Sequence, residues 1–174
     1  MLIRSLGFAN KPALCRIVGG NVLVRSLTFK LLDKEAETNL ISLFPEYKAA
    51  VNFQKQGNIP QAITALSRVQ EVLVHAVGKE DPLSSQITLQ LASLHRAQGT
   101  FEKAIQLVQR HPSTMLDYRV EKEVFIASTE LSSHNITQAL QHAKQAVHIC
   151  EQEQDFANPD NMVFSRAYSS LGEI

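Results

Sequence analysis

The strongest restraint on the fold of this chain is a short segment that occurs three times. Each copy has a turn residue, which is followed by a residue that can cap a helix and by an apolar residue. An alanine lies five residues after the turn residue, and an aliphatic residue follows it. The copies read QGNIPQAI from Gln56, QGTFEKAI from Gln98 and SHNITQAL from Ser133. Recurrence of one segment on this scale predicts repeats of a single structural unit.

Helix start and stop signals surround each copy. Apolar residues follow the i, i+3, i+4 spacing of a helix, and proline, glycine or a capping side chain marks the boundaries. No run of residues alternates with period two, as a half-buried strand would. We therefore predict an all-α fold. The predicted helices cover residues 45–56, 59–77, 82–98, 101–110, 115–131, 136–152 and 159–174.

The alanine of each copy falls where the second helix of a pair crosses the first, and a larger side chain there would separate the two helices. The pattern resembles the tetratricopeptide repeat. The family's aromatic position falls on Phe53, His95 and Glu130, and its tryptophan is absent. The resemblance assigns repeat-packing roles to Ala50, Gly57, Ala62, Ala92, Gly99, Ala104, Ala127 and Ala139.

The resemblance implies a right-handed α-solenoid of antiparallel helix hairpins within residues 33–174. We expect three repeats and an incomplete fourth, at residues 43–76, 85–116, 120–153 and 165–174. The last helix has no second helix to cover it, which favours a longer parent sequence or completion by another subunit. The first two copies are 42 residues apart (Gly57 to Gly99) rather than the common 34 or so, which is similar to the long repeats of kinesin light chains.

Charge is distributed unevenly along a chain whose formal net charge is zero. Residues 1–32 contain five cationic residues and no acidic one, so the remainder carries twelve Lys and Arg (17 minus 5) against seventeen Asp and Glu, a net charge of minus five. A basic leader without acidic residues is typical of a mitochondrial transit peptide, and this predicts a mitochondrial protein of the matrix or inner membrane. The alternative is an uncleaved extension on a cytoplasmic protein. No window reaches the roughly 20 apolar residues of a transmembrane helix.

Signals for chemistry are missing from the sequence. It contains no glycine-rich phosphate loop, paired catalytic carboxylates or nucleophile elbow. His142 and His148 are six residues apart and would point in different directions from one helix, which does not suit a zinc site. The net negative body disfavours binding to nucleic acid. We therefore predict no enzymatic activity, no cofactor and no metal.

The resemblance implies that a partner protein binds in the concave groove lined by the first helix of each hairpin. Chaperone-binding members hold a C-terminal carboxylate there with Lys, Asn and Arg. The corresponding positions are Tyr47, Val51, Gln90, Glu121 and Phe125. None fits, so we expect no carboxylate clamp. The predicted groove residues are Phe44, Tyr47, Val51, Gln54, Leu89, Ser93, Arg96, Val124, Ser128 and Leu131.

These groove residues suit an apolar or amphipathic helix of a partner. The alternative is that several of them are covered by a helix over residues 31–43 or by adjacent repeats. The sequence thus predicts an interaction scaffold, such as an assembly factor or small subunit of a mitochondrial complex. A cytoplasmic cargo adaptor similar to kinesin light chains is the alternative function, and an RNA-associated helical-repeat protein is a more distant one.

Overall fold

A computed structural model describes residues 44–112, 114–152 and 162–174 of the chain. The expected leader over residues 1–32 and the expected helix over residues 31–43 lie outside the described residues. Within the described ranges the chain is all-helical and contains no strand, which confirms the prediction of an all-α fold. The helices are α1 Pro45–Lys55, α2 Ile59–Val77, α3 Pro82–Ala97, α4 Phe101–Arg110, α5 Leu116–Ser132, α6 Ile136–Gln152 and α7 Met162–Gly172.

The starts of α1, α2 and α3 follow from the local sequence, since each has a proline in its first turn. The Asn58 side chain accepts a hydrogen bond from the backbone of Gln61 at 3.4 Å, and the Asp81 side chain accepts one from Leu83 at 2.8 Å. Both therefore cap a helix as predicted. Thr100 does not: its hydroxyl donates instead to the carbonyl of His95 at 2.9 Å. The last helix ends at Gly172, two residues before the predicted end at Ile174.

The turns within the first three helix pairs share one backbone geometry. Each contains a residue with positive φ, namely Gly57 at 75°, Gly99 at 79° and His134 at 65°. The next backbone N–H then donates to the carbonyl five residues earlier, as at glycine-terminated helix ends. These bonds are Asn58 to Phe53 at 2.8 Å, Thr100 to His95 at 2.9 Å and Asn135 to Glu130 at 2.9 Å. The third copy, the weakest in sequence, therefore has the same turn as the other two.

The residues predicted to pack the helix pairs fall into two groups. A Cβ added at Gly57 or Gly99 would meet nothing within 4 Å, so backbone conformation rather than close packing favours glycine there. The alanines are at most 3% exposed, which is where small residues at a helix crossing belong. They are Ala50, Ala62, Ala92, Ala104, Ala127 and Ala139.

Each helix packs mainly against its neighbours along the chain, and α5 also contacts α3 and α7. Three successive hydrophobic cores result. Tyr47 and Ile87 lie in the first core, Leu89 and Phe125 in the second, and Val120 in the third. A helix such as α3 thus supplies side chains to two adjacent cores.

The interval between the turns is irregular. Gly57 and Gly99 are 42 residues apart, whereas Gly99 and His134 are 35 apart. The difference lies chiefly in the second helices, because α2 has 19 residues and α4 has 10. The extended first interval is therefore taken up by a longer helix rather than by a long loop.

Candidate partner-binding surface

Polar contacts join the first helices of consecutive pairs. The side-chain amide of Gln90 on α3 donates to the hydroxyl of Tyr47 on α1 at 3.2 Å. Arg96 on α3 donates to the Ser128 hydroxyl on α5 at 2.6 Å. A third polar contact joins α5 and α7, where Arg166 on α7 pairs with Glu121 on α5. We call these three pairs the first-helix contacts.

Several of the predicted groove residues are covered by other helices. Tyr47 and Leu89 are 3% and 1% exposed, and both belong to hydrophobic cores. Phe44 and Val51 are partly buried against the first core, and Val124 is partly buried against the third. The predicted open apolar groove is therefore wrong for Tyr47 and Leu89. The reason is that adjacent helices pack over these side chains.

The other predicted groove residues keep accessible surface and are mostly polar. Gln54 is exposed, while Ser93, Arg96, Ser128 and Leu131 are half-buried. We call these five residues the first-helix surface. The hydroxyl of Ser93 donates to the carbonyl of Leu89, and that of Ser128 to the carbonyl of Phe125, each at 2.9 Å. The structure thus brings Arg96 and Ser128 together, on a surface that is more polar than expected.

Arg96 is the chemically distinctive member of the first-helix surface. Its guanidinium carbon lies 5.0 Å from the centre of the Phe125 ring, a cation–π arrangement. Burial lowers the pKa of Arg96. Over the ranges that the structure describes, no carboxylate pairs with this side chain. A guanidinium has five N–H donors, so Arg96 retains donors for an acceptor on a ligand.

Glu121, on α5, differs from Arg96 in being buried. It is 1% exposed, and burial raises the pKa of its carboxyl although the nearby Arg166 opposes that shift. From the sequence, Glu121 is predicted only to be unsuited to a carboxylate clamp. Its burial could not be read from the sequence, because a charged residue on a helix is usually solvent-exposed.

A second concave feature lies between α2, α3 and α4 and has a volume of about 470 Å³. Lys79, Lys103 and Arg110 line it together with His95 and His111. This cleft could not be predicted from the sequence, because Lys79, which follows α2, and His95 of α3 are remote in sequence from the two cations of α4. The one available signal was the spacing of Lys103 and Arg110, which are seven residues apart and so share a face of α4.

Some classes of site are not found in the described part of the chain. It holds no group of three or more His, Cys, Asp and Glu side chains arranged for a metal. None of its helices is both long and apolar enough to cross a membrane. The half-buried His142 contacts Glu123 at 2.7 Å, whereas the exposed His148 contacts Gln152.

No protein-family model matches the chain. A search of curated proteins finds no match either.

Proposed function

We propose that the chain is a non-catalytic scaffold built as a tetratricopeptide-like right-handed α-solenoid. The observation that carries this proposal is the shared geometry of the three hairpin turns, which repeats the same backbone hydrogen bond at Phe53, His95 and Glu130. The first-helix contacts support it further, because they join alternate helices in register from one pair to the next. Repeats of this kind bind partners across the first helices.

The partner segment we propose is an amphipathic helix that carries an acidic residue. Leu131 offers apolar surface, and the free donors of Arg96 suit a carboxylate on the partner. The guanidinium is already held by Ser128 and by the Phe125 ring, so little side-chain entropy remains to be lost on binding. The proposed surface is therefore partly apolar and partly polar, whereas the sequence predicted an apolar groove.

Photocrosslinking tests this surface directly. A photoreactive residue at Ser93 should crosslink a partner, while the same residue at the exposed Gln61 on α2 should not. Arg96→Gln should weaken that crosslink without changing the circular dichroism spectrum, and Arg68→Gln on α2 serves as the matched control. Equal crosslinking from Ser93 and Gln61 would place the partner elsewhere and overturn the proposal.

The setting we propose is mitochondrial, as an assembly factor or small subunit of a larger complex. The acid-free leader over residues 1–32 is the supporting feature. Import of the full chain into isolated mitochondria should shorten its N-terminus. A chain that stays in the cytosol with an intact N-terminus would exclude this setting.

A cytoplasmic adaptor similar to kinesin light chains is the second candidate. The 42-residue interval between Gly57 and Gly99 favours it, since the 19-residue α2 accommodates a long repeat. It predicts cytosolic localisation together with loss of cargo binding in Arg96→Gln. The import experiment separates the two candidates, because both place the partner on the first-helix surface.

A further inference from the structure

The cleft between α2, α3 and α4 is a built feature with three walls. α2 and α4 form two sides, and Thr88 and His95 of α3 lie between them. Its volume of about 470 Å³ falls within the range of small-molecule sites. It shares no residue with the first-helix contacts or the first-helix surface.

Positive charge is concentrated in this cleft. Lys79, Lys103 and Arg110 line it, against the single carboxylate of Glu71, which leaves a net charge of plus two (3 minus 1) with neutral histidines. In the ranges described, these three cations form no ion pair. The chain as a whole has a net charge of zero, so this local excess is not a general property of its surface.

The floor of the cleft carries a histidine whose tautomer follows from its contacts. The hydroxyl of Thr100 donates to the carbonyl of His95, so it accepts at the 3.0 Å contact with His95 Nδ1. Nδ1 therefore carries the proton, and the other ring nitrogen, Nε2, is an acceptor in the neutral ring. Over the described part of the chain Nε2 has no hydrogen-bond partner. Protonation of His95 would turn Nε2 into a donor.

The end of the cleft is held rigidly by a second histidine. His111 is buried, with Nε2 at 3.0 Å from the Ser85 hydroxyl and Nδ1 at 3.3 Å from that of Thr88. The amide of Gln70 donates to the same Thr88 hydroxyl at 2.8 Å. This network joins α2, α3 and the segment after α4, so the walls of the cleft are preorganised.

We propose that this cleft binds a phosphate group, supplied either by a small phosphorylated molecule or by a phosphorylated side chain of a protein. A dianionic phosphate has several acceptor oxygens, and Lys79, Lys103 and Arg110 supply charge-assisted donors around it.

Binding of phosphate should be coupled to proton uptake at His95. Burial and the charge of Lys103 lower the pKa of this ring in the free protein. The other titratable or charged groups of the cleft are Glu71 and His75 on α2, Arg110 on α4, and Lys79 and His111. An anion placed among the cations offsets their effect, so the pKa of His95 should rise and binding should strengthen as pH falls toward that pKa.

Titration of the full chain followed by NMR tests the proposal. Pyrophosphate should shift the His95 ring signals saturably and raise the pKa of that ring. Lys103→Gln with Arg110→Gln should weaken binding at least about tenfold, which corresponds to about 1.4 kcal/mol. Both residues are exposed, so the fold should be retained. Lys48→Gln with Lys144→Gln removes the same charge outside the cleft and should bind as the unmodified chain does.

A second arm distinguishes the sources of phosphate. A phosphoserine peptide with neutral flanking residues is compared with its unphosphorylated copy and with pyrophosphate. Tighter binding of the phosphopeptide than of pyrophosphate assigns the cleft to a phosphorylated protein, and the reverse assigns it to a small molecule. No saturable shift with either probe, or equal binding by the Lys103→Gln, Arg110→Gln variant, overturns the proposal.

Discussion

Arg166 on α7 donates a hydrogen bond to the carboxylate of Glu121 on α5. The two partners differ in environment, since Glu121 is buried while the side chain of Arg166 is 33% exposed. The second carboxylate oxygen of Glu121, Oε2, is buried and has no hydrogen-bond partner within the described ranges. The buried charge thus depends on one guanidinium for its compensation.

This asymmetry predicts unequal effects of removing the two partners. Arg166→Met leaves an unpaired buried carboxylate and should lower the free energy of unfolding by about 3 kcal/mol. Glu121→Gln removes the buried charge and leaves a cation that can reach water, so its effect should stay within about 1 kcal/mol. Urea unfolding of both single variants and the double variant measures the coupling. Equal losses in the two single variants would contradict the assignment.

Acidification should destabilise the fold through His111. Burial, aided by the charge of Lys79, lowers the pKa of His111 below its ordinary value of 6.5. The unfolded chain therefore binds the proton first, and stability should fall as pH drops below about 6.5 toward the folded pKa. The pKa of Glu121 is raised above its ordinary value of 4.5, so this carboxyl has the opposite effect and increases stability as the pH falls toward 4.5.

The difference between the chain and His111→Gln isolates the histidine contribution, because Glu121 titrates equally in both. We expect the difference in melting temperature to shrink as pH is lowered from about 7.5 to 5, the range in which histidines titrate. A difference that is independent of pH would show that His111 keeps its proton affinity on folding.

The turns offer a matched pair of backbone substitutions. Gly99→Ala should lower the free energy of unfolding by about 1 kcal/mol, because alanine is strained at a φ of 79° although space for its Cβ is available. His134→Gly should act in the opposite sense, by about 0.5 kcal/mol, since it relieves a non-glycine residue at 65°. Thermal unfolding of both variants checks the prediction, and destabilisation by His134→Gly would contradict it.

Substitutions of buried core residues should lower the free energy of unfolding. Leu89→Ala should lower the free energy of unfolding by about 2–5 kcal/mol through loss of burial and cavity formation. Ala104→Leu should cost about 1–3 kcal/mol by overpacking a helix crossing. Ala97→Leu, at an exposed position of α3, is the control and should be near neutral. Chemical denaturation separates these effects, and a neutral Leu89→Ala would show that the side chain is not a core element.

Much of the fold can be predicted from the sequence because its signals are local. The proline and capping residues at Asn58 and Asp81 set helix starts, and the glycines at turns follow from the conformation they require. Thr100 is the exception, because its hydroxyl contacts the carbonyl and the ring Nδ1 of His95 and does not accept from the first turn of α4. A capping residue type indicates a helix start without fixing which bond the side chain makes.

The candidate sites are harder to predict because they depend on packing between helices. Leu89 has an apolar side chain on a first helix, and only the placement of α4 and α5 decides that it faces a core. Likewise Lys79 and Lys103 are 24 residues apart and come to line one cleft only when α2 and α4 lie against α3. Amphipathic periodicity reports that a face is buried, but it does not say which neighbour buries it.

The division of the interior into successive cores has a consequence for how the protein is made. Each core joins helices that follow one another along the chain, so the native contacts span short sequence distances. Chains of low contact order fold fast, and their early segments can acquire structure before the later ones exist. We expect α1 to α3 to form their shared core while α5 to α7 are still being synthesised, with α3 then providing the surface on which the next core condenses.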